Sequence, residues 1–170
     1  MEFFRLREAL SEEEFLKEYN YPVMVQERAT PSEGGESNYS TIYMAKDLLD
    51  GKLADGIGQP DRGIVIEIMK RNTQLFEGMI NVGRASNNDL VLDVPGISKF
   101  HAYFSREPKT DNYSLTDANS KNGTFVNRTP LRPYASSSLG DGDRICFAGQ
   151  VEFRFYSPAK FYEMLNILIV

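Results

Sequence analysis

Downstream of Arg62 the chain breaks into eight short runs rich in β-branched and aromatic residues: Ile64 to Met69, Met79 to Val82, Leu90 to Leu92, Phe100 to Phe104, Tyr113 to Leu115, Thr124 to Val126, Arg144 to Phe147 and Val151 to Tyr156. Each is bounded by Gly, Asn, Asp or Pro. Short strands at regular spacing with polar turns predict a β-sandwich or barrel, because each strand is too short to bury its apolar face without a second sheet. In the last run Val151, Phe153 and Phe155 alternate with Glu152 and Arg154, the pattern of a strand with one buried and one wet face. Ser157-Pro158 then reads as an N-cap followed by proline at the first helical position. Phe161, Leu165 and Leu168 continue at helical spacing, which predicts a C-terminal helix packed on the sandwich.

The first third has a different texture. Residues 1–61 hold 6 basic and 13 acidic side chains, net -7, whereas residues 62–170 hold 13 and 11, net +2. Ser11 with Glu14 three positions later matches a capping box, and Phe15 and Tyr19 stand at i, i+4, so a short helix is expected there. Around residues 28–38 the chain reads as a flexible linker with almost nothing to bury. Ile42, Ala45, Leu48 and Leu49 recur at near-helical spacing before Asp50-Gly51, which predicts a second helix with a glycine C-cap. The expected organisation is an acidic, partly helical extension over 1–61, a mainly β sandwich domain over 62–157 and a C-terminal helix over 158–170.

Several classes of function fall away. The formal net charge of -5 and a pI near 5.0 argue against a dedicated binder of nucleic acid or anionic membrane. The single cysteine, Cys146, has no disulfide partner and reads as a buried thiol in the apolar run Ile145-Cys146-Phe147. No apolar run approaches a membrane span or a secretory signal, so a reducing, cytoplasmic setting is expected. With one histidine, no clearly partnered carboxylates, no Gly-x-Ser-x-Gly and no P-loop, the chain offers few candidates for catalysis. A non-catalytic protein without a cofactor or metal is the expectation.

Three inter-strand segments are dense in hydrogen-bonding groups: Gly83-Arg84 with Asn87-Asn88, Ser98-Lys99-Phe100-His101, and Asn119 to Asn127. Brought to one end of a sandwich, an arginine fork, a serine hydroxyl, a lysine and asparagine amides would satisfy the oxygens of a phosphate. Other readings stand beside this one. Asn122-Gly123 is also the commonest hairpin signal, Lys99 and Lys121 are also consistent with ordinary solvated lysines, and a lone histidine is most often structural.

In order and spacing these residues resemble the forkhead-associated (FHA) family, whose Gly-Arg, Ser-x-x-His and Asn-Gly-x-x-x-x-Asn motifs read here as Gly83-Arg84, Ser98 to His101 and Asn122 to Asn127. Gly142 to Ile145 match the family's late Gly-Asp turn. The resemblance covers about Arg62 to Tyr156. It implies a β-sandwich that binds phosphothreonine peptides through loops at one end and acts as an adapter downstream of Ser/Thr kinases. By the same resemblance Arg84 and Ser98 would hold the phosphate, with Lys121 adding a donor. Asn122 would bond the peptide backbone, and Lys99 is a further contact candidate. His101 would support the loops, while Gly83, Gly123, Thr124 and Asn127 set turn geometry.

Thr30, in the linker, is a candidate phosphorylation position, which would make the protein's own arm a second kind of partner. A passive linker is the simpler alternative. A second class of function is a scaffold subunit that uses the sandwich surface or the acidic arm without phosphate.

Overall fold

The computed structural model describes residues 11–26, 64–71 and 78–167. The linker around 28–38, Thr30 and the helix expected over 42–49 lie outside the described residues. Eleven strands and two helices are described, in the order α1 (Glu12–Glu18), β1 (Val23–Gln26), β2 (Ile64–Glu67), β3 (Met79–Gly83), β4 (Leu90–Val91), β5 (Ala102–Arg106), β6 (Tyr113–Asp117), β7 (Thr124–Val126), β8 (Thr129–Pro130), β9 (Ser136–Ser138), β10 (Arg144–Phe147), β11 (Val151–Tyr156) and α2 (Pro158–Ile167).

They form a sandwich of two sheets, one ordered β2-β1-β11-β10-β7-β8 and the other β4-β3-β5-β6-β9. Every pairing among the described strands is antiparallel except the short β3–β4 contact, where Val82 faces Leu90. Inward residues of both sheets, among them Met24, Ile66, Val82, Phe104, Leu115, Ile145 and Phe153, make one apolar core.

Each of the eight expected runs overlaps a strand, and β11 shows the alternation read from its sequence: Val151, Phe153 and Phe155 are buried while Glu152 is exposed. Tyr156 is buried as well, because the helices cover that end of the sheet. The capping box of α1 is closed in both directions, with Ser11 N–H donating to Glu14 Oε2 at 2.9 Å and Glu14 N–H to Ser11 Oγ at 3.4 Å. Phe15 and Tyr19 stack on it with ring centroids 5.0 Å apart. At the start of α2, the Ser157 hydroxyl accepts the Lys160 N–H at 3.3 Å and in turn donates to Asp141.

The sandwich reaches back across the boundary drawn at residue 62. Strand β1 inserts between β2 and β11, with Val23 opposite both Glu67 and Tyr156. Its side chains serve two cores, since Met24 points into the sandwich and Val23 joins Phe15, Tyr156, Phe161, Tyr162 and Leu165 under the two helices. The acidic extension therefore supplies a structural strand.

Two further readings are corrected. Cys146 is half-buried rather than buried, because Ile145 and Phe147 take the inward positions of β10 and leave Cys146 on the outer face opposite Glu152. Burial, reinforced by the Glu152 charge, pushes its thiol pKa up, which disfavours the reactive thiolate. Asn122-Gly123 is not the hairpin turn. The tight turn lies at Asn127 and Arg128, both at positive φ (51° and 67°), between Val126 and its partner Thr129.

Candidate functional site

Three connections converge at one end of the sandwich, and the backbone fixes how closely. Arg84 N–H donates to Ser98 O at 2.9 Å and Ala85 N–H to Lys99 O at 3.2 Å, so the segments after β3 and before β5 run against each other. Only glycine fits at the contact, since a Cβ on Gly83 would collide with the Lys99 carbonyl oxygen. Asn88, almost fully buried, locks the same two segments by donating from Nδ2 to Ala85 O at 2.8 Å and Lys99 O at 2.6 Å.

His101 ties this pair to the third loop. Its Nδ1 accepts the Ser98 N–H at 3.1 Å, which leaves Nε2 as the protonated nitrogen that donates to Gly123 O, also at 3.1 Å. The ring is fully buried and packs edge-on against Phe147. Burial pulls its pKa below the ordinary value, against a weaker upward pull from the Gly123 hydrogen bond and the Asp117 charge. The imidazole is therefore a neutral structural bridge.

Asp117, at the end of β6, organises the third loop from beneath. It accepts Ser120 N–H at 2.9 Å, Ser120 O–H at 2.7 Å and the buried Thr124 O–H at 2.6 Å. Burial pushes its pKa up, but these donors outweigh it and leave the carboxylate below its usual range. Ser120 Oγ then accepts Gly123 N–H at 3.0 Å, and Gly123 itself sits at φ +79°.

On this frame Arg84, Ser98, Lys121 and Asn122 line one open depression of about 690 Å³, together with Asp93, Pro95, Gly96 and Ile97. Arg84 Nε donates to Ile97 O at 3.2 Å, which anchors the guanidinium by one edge. Among the described residues no carboxylate pairs with it. Ser98 Oγ accepts the Lys121 N–H at 3.1 Å, so the hydroxyl hydrogen is left to donate elsewhere. Asn122 Nδ2 donates to Gly96 O at 2.8 Å across the depression, and its Oδ1 remains an acceptor. Two cationic side chains, a hydroxyl and an amide thus share one concave surface.

The structure separates the other sequence candidates from this set. Lys99 is exposed and its side chain is not among the lining residues; its carbonyl does the positioning. Asn127 lies at the far end of β7, where Nδ2 donates to Asp143 at 2.8 Å and Oδ1 accepts Arg144 N–H at 3.0 Å. It joins two turns of the opposite end. Asp93, Gly96, Asp117 and Ser120 were not singled out from the sequence. A Thr-Asp at a strand end followed by Ala-Asn-Ser is an Asx-turn pattern, and that signal would have found Asp117.

No group of His, Cys, Asp and Glu suited to hold a metal ion occurs among the described residues. Nor is any helix there long and apolar enough to cross a membrane.

The family model for the FHA domain matches residues 80–148, and the chain belongs to the FHA family through this domain. The paired strands β1, β2 and β11 lie outside the matched span. The chain is 43% identical over 63 residues to the oxoglutarate dehydrogenase inhibitor of Corynebacterium jeikeium, an overlap of 37% of this chain and 40% of that protein. It is 34% identical over 71 residues to the glycogen accumulation regulator GarA of Mycobacterium tuberculosis, covering 42% of this chain and 41% of that one. The chain thus spans about two fifths of the length of these curated relatives. Among solved structures, the FhaA FHA domain complexed with the intracellular domain of Rv3910 is 31% identical, with a TM-score of 0.41, over 51% of this chain and 88% of that one.

Proposed function

We propose that the domain recognises phosphothreonine peptides and acts as a non-catalytic adapter downstream of Ser/Thr kinases in the cytoplasm. The observation that carries this reading is the convergence of Arg84, Ser98 and Lys121 on one depression with their donors uncommitted to any carboxylate of the described residues. A dianionic phosphate needs both charge and directed donors, because a lone surface ion pair contributes only about 0–1 kcal/mol. Arg84 supplies the planar fork, Ser98 the hydroxyl and Lys121 a mobile point charge. Asn122 holds the peptide backbone while its amide keeps the Gly96 segment in place. The names of the two relatives, an inhibitor and a regulator, fit a chain that works by binding.

The test is a titration of a phosphothreonine peptide library against the full chain. Binding is expected for phosphorylated peptides alone, with Arg84→Ala weakening it by about 100-fold, or about 2.7 kcal/mol, the scale of charge-assisted bonds lost together. A phosphoserine peptide should bind about fourfold more weakly if one methyl group is fully buried, about 0.8 kcal/mol. Equal binding of phosphorylated and unphosphorylated peptides, or a partner retained equally by Arg84→Ala, overturns the reading in favour of a phosphate-independent scaffold. Phosphorylated Thr30 is a candidate ligand in cis, since a flexible tether raises local concentration into the mM range. Kinase treatment should then weaken added phosphopeptide in wild type and leave Thr30→Ala unaffected.

A further inference from the structure

One side chain on the depression has the wrong sign for a site that binds only phosphate. Asp93 is exposed and lines the same surface as Arg84 and Lys121, yet it makes no ion pair with another described residue. Its place is fixed from both sides. Leu92 before it is fully buried and donates its N–H to Gly83 O at 3.0 Å; Val94 after it is nearly buried and accepts the Ile97 N–H at 3.1 Å. Asn122 and Arg84 hold the next stretch through Gly96 O and Ile97 O. The Asp93 backbone is therefore held at a set position beside the site, and its carboxylate is presented on the depression.

From this juxtaposition, and resting on the phosphopeptide reading above, we infer that Asp93 selects phosphothreonine peptides carrying a lysine or arginine close to the phosphothreonine. Arg84 and Lys121 face the phosphate and neither pairs with Asp93 among the described residues, so a basic side chain of the ligand is the cation that would offset its repulsion of the dianion. The same carboxylate disfavours an acidic flanking residue or a second phosphate. A depression of about 690 Å³ is about 9 Å across, and an extended chain advances about 3.3 Å per residue. The basic residue therefore falls within about three positions of the phosphothreonine.

The experiment is a set of matched titrations of the full chain with one phosphothreonine peptide in which Lys, Gln or Glu is placed in turn at each of the three positions on either side. Wild type should prefer Lys over Glu by about threefold to tenfold at one or two positions, since the exchange replaces one exposed attraction by one exposed repulsion, each worth up to about 1 kcal/mol. The preference should shrink in 1 M salt, where the Debye length falls to about 3 Å. Asp93→Asn should reduce it to within twofold and Asp93→Lys should reverse it. A wild type indifferent to flanking charge, or a preference that survives Asp93→Asn, overturns the inference while phosphate-dependent binding that Arg84→Ala weakens still stands. If no phosphorylated peptide binds, both readings fall.

Discussion

The helix-covered face of the sandwich and the loop end that forms the site are held together by opposite chemistry. Under the helices, Phe15, Val23, Tyr156, Phe161, Tyr162 and Leu165 close a second apolar cluster. At the loop end the buried ties are polar: Asn88, His101, Asp117 and Thr124. A surface that must offer its donors to a ligand cannot be fixed by burying them. Rigidity is supplied from beneath by hydrogen bonds among these buried groups and the loop backbone, and each of these ties is specific enough to set a loop's position. The apolar face governs how stable the molecule is, and the polar end governs how well the site is formed.

That contrast is broken most severely by emptying the apolar cluster. Phe15 is fully buried against Tyr19 and Tyr162, so Phe15→Ala should cost about 3–5 kcal/mol in denaturant titrations. Phosphopeptide affinity of the remaining folded protein should stay within about twofold. If affinity collapses with stability, the two regions are one cooperative unit.

Asp117→Ala reverses the balance. It leaves the Ser120 N–H and the buried Thr124 hydroxyl without their acceptor, a loss of about 2–3 kcal/mol. It also frees the loop carrying Lys121 and Asn122, so affinity should fall at least about tenfold by calorimetry. Gly83→Ala is smaller in stability, about 1–2 kcal/mol for an overpacked methyl. Its Cβ meets backbone rather than a side chain that can swing away. The Arg84 and Ser98 segments must move apart, and the affinity loss should again exceed what the stability change implies.

Which parts of this were legible beforehand follows from how local each signal is. The capping box of α1, the alternation of β11 and the three motif loops are written within a few residues, and all appear in the structure. Strand β1 is not local: Val23-Met24-Val25-Gln26 is too short to show a period, and its partners Glu67 and Tyr156 lie far along the chain. Strand β9 is three serines whose pairing is stabilised by a hydroxyl chain from Thr116 through Ser136 to Ser114. A strand without apolar residues gives no hydrophobic signal at all. Within the site, the ligand-facing Arg84 and Ser98 stood out by residue type. Asp93 and Asp117 did not, since one carboxylate among 24 acidic residues acquires meaning only from what the fold places beside it.

The gentlest way to separate the two regions is acid, through His101. As a neutral ring it accepts the Ser98 N–H, and a proton on Nδ1 would set two donors against each other. Burial holds the folded pKa below the ordinary 6.5, so in the range between them the unfolded chain binds a proton that the folded chain refuses. Stability from this group is therefore complete above about pH 6.5 and is lost as pH falls through that value towards the folded pKa. Asp117 contributes in the same sense but only near and below its own ordinary value of 3.8, so its loss begins at a lower pH than that of His101. Between pH 7 and pH 5 the urea midpoint should drift down and phosphopeptide affinity should fall with it. His101→Gln, already weaker at pH 7, should show a flatter drift. An equal slope in both proteins would place the acid sensitivity outside the imidazole bridge. A lower midpoint with unchanged affinity would mean that the Ser98 loop keeps its position without the neutral ring.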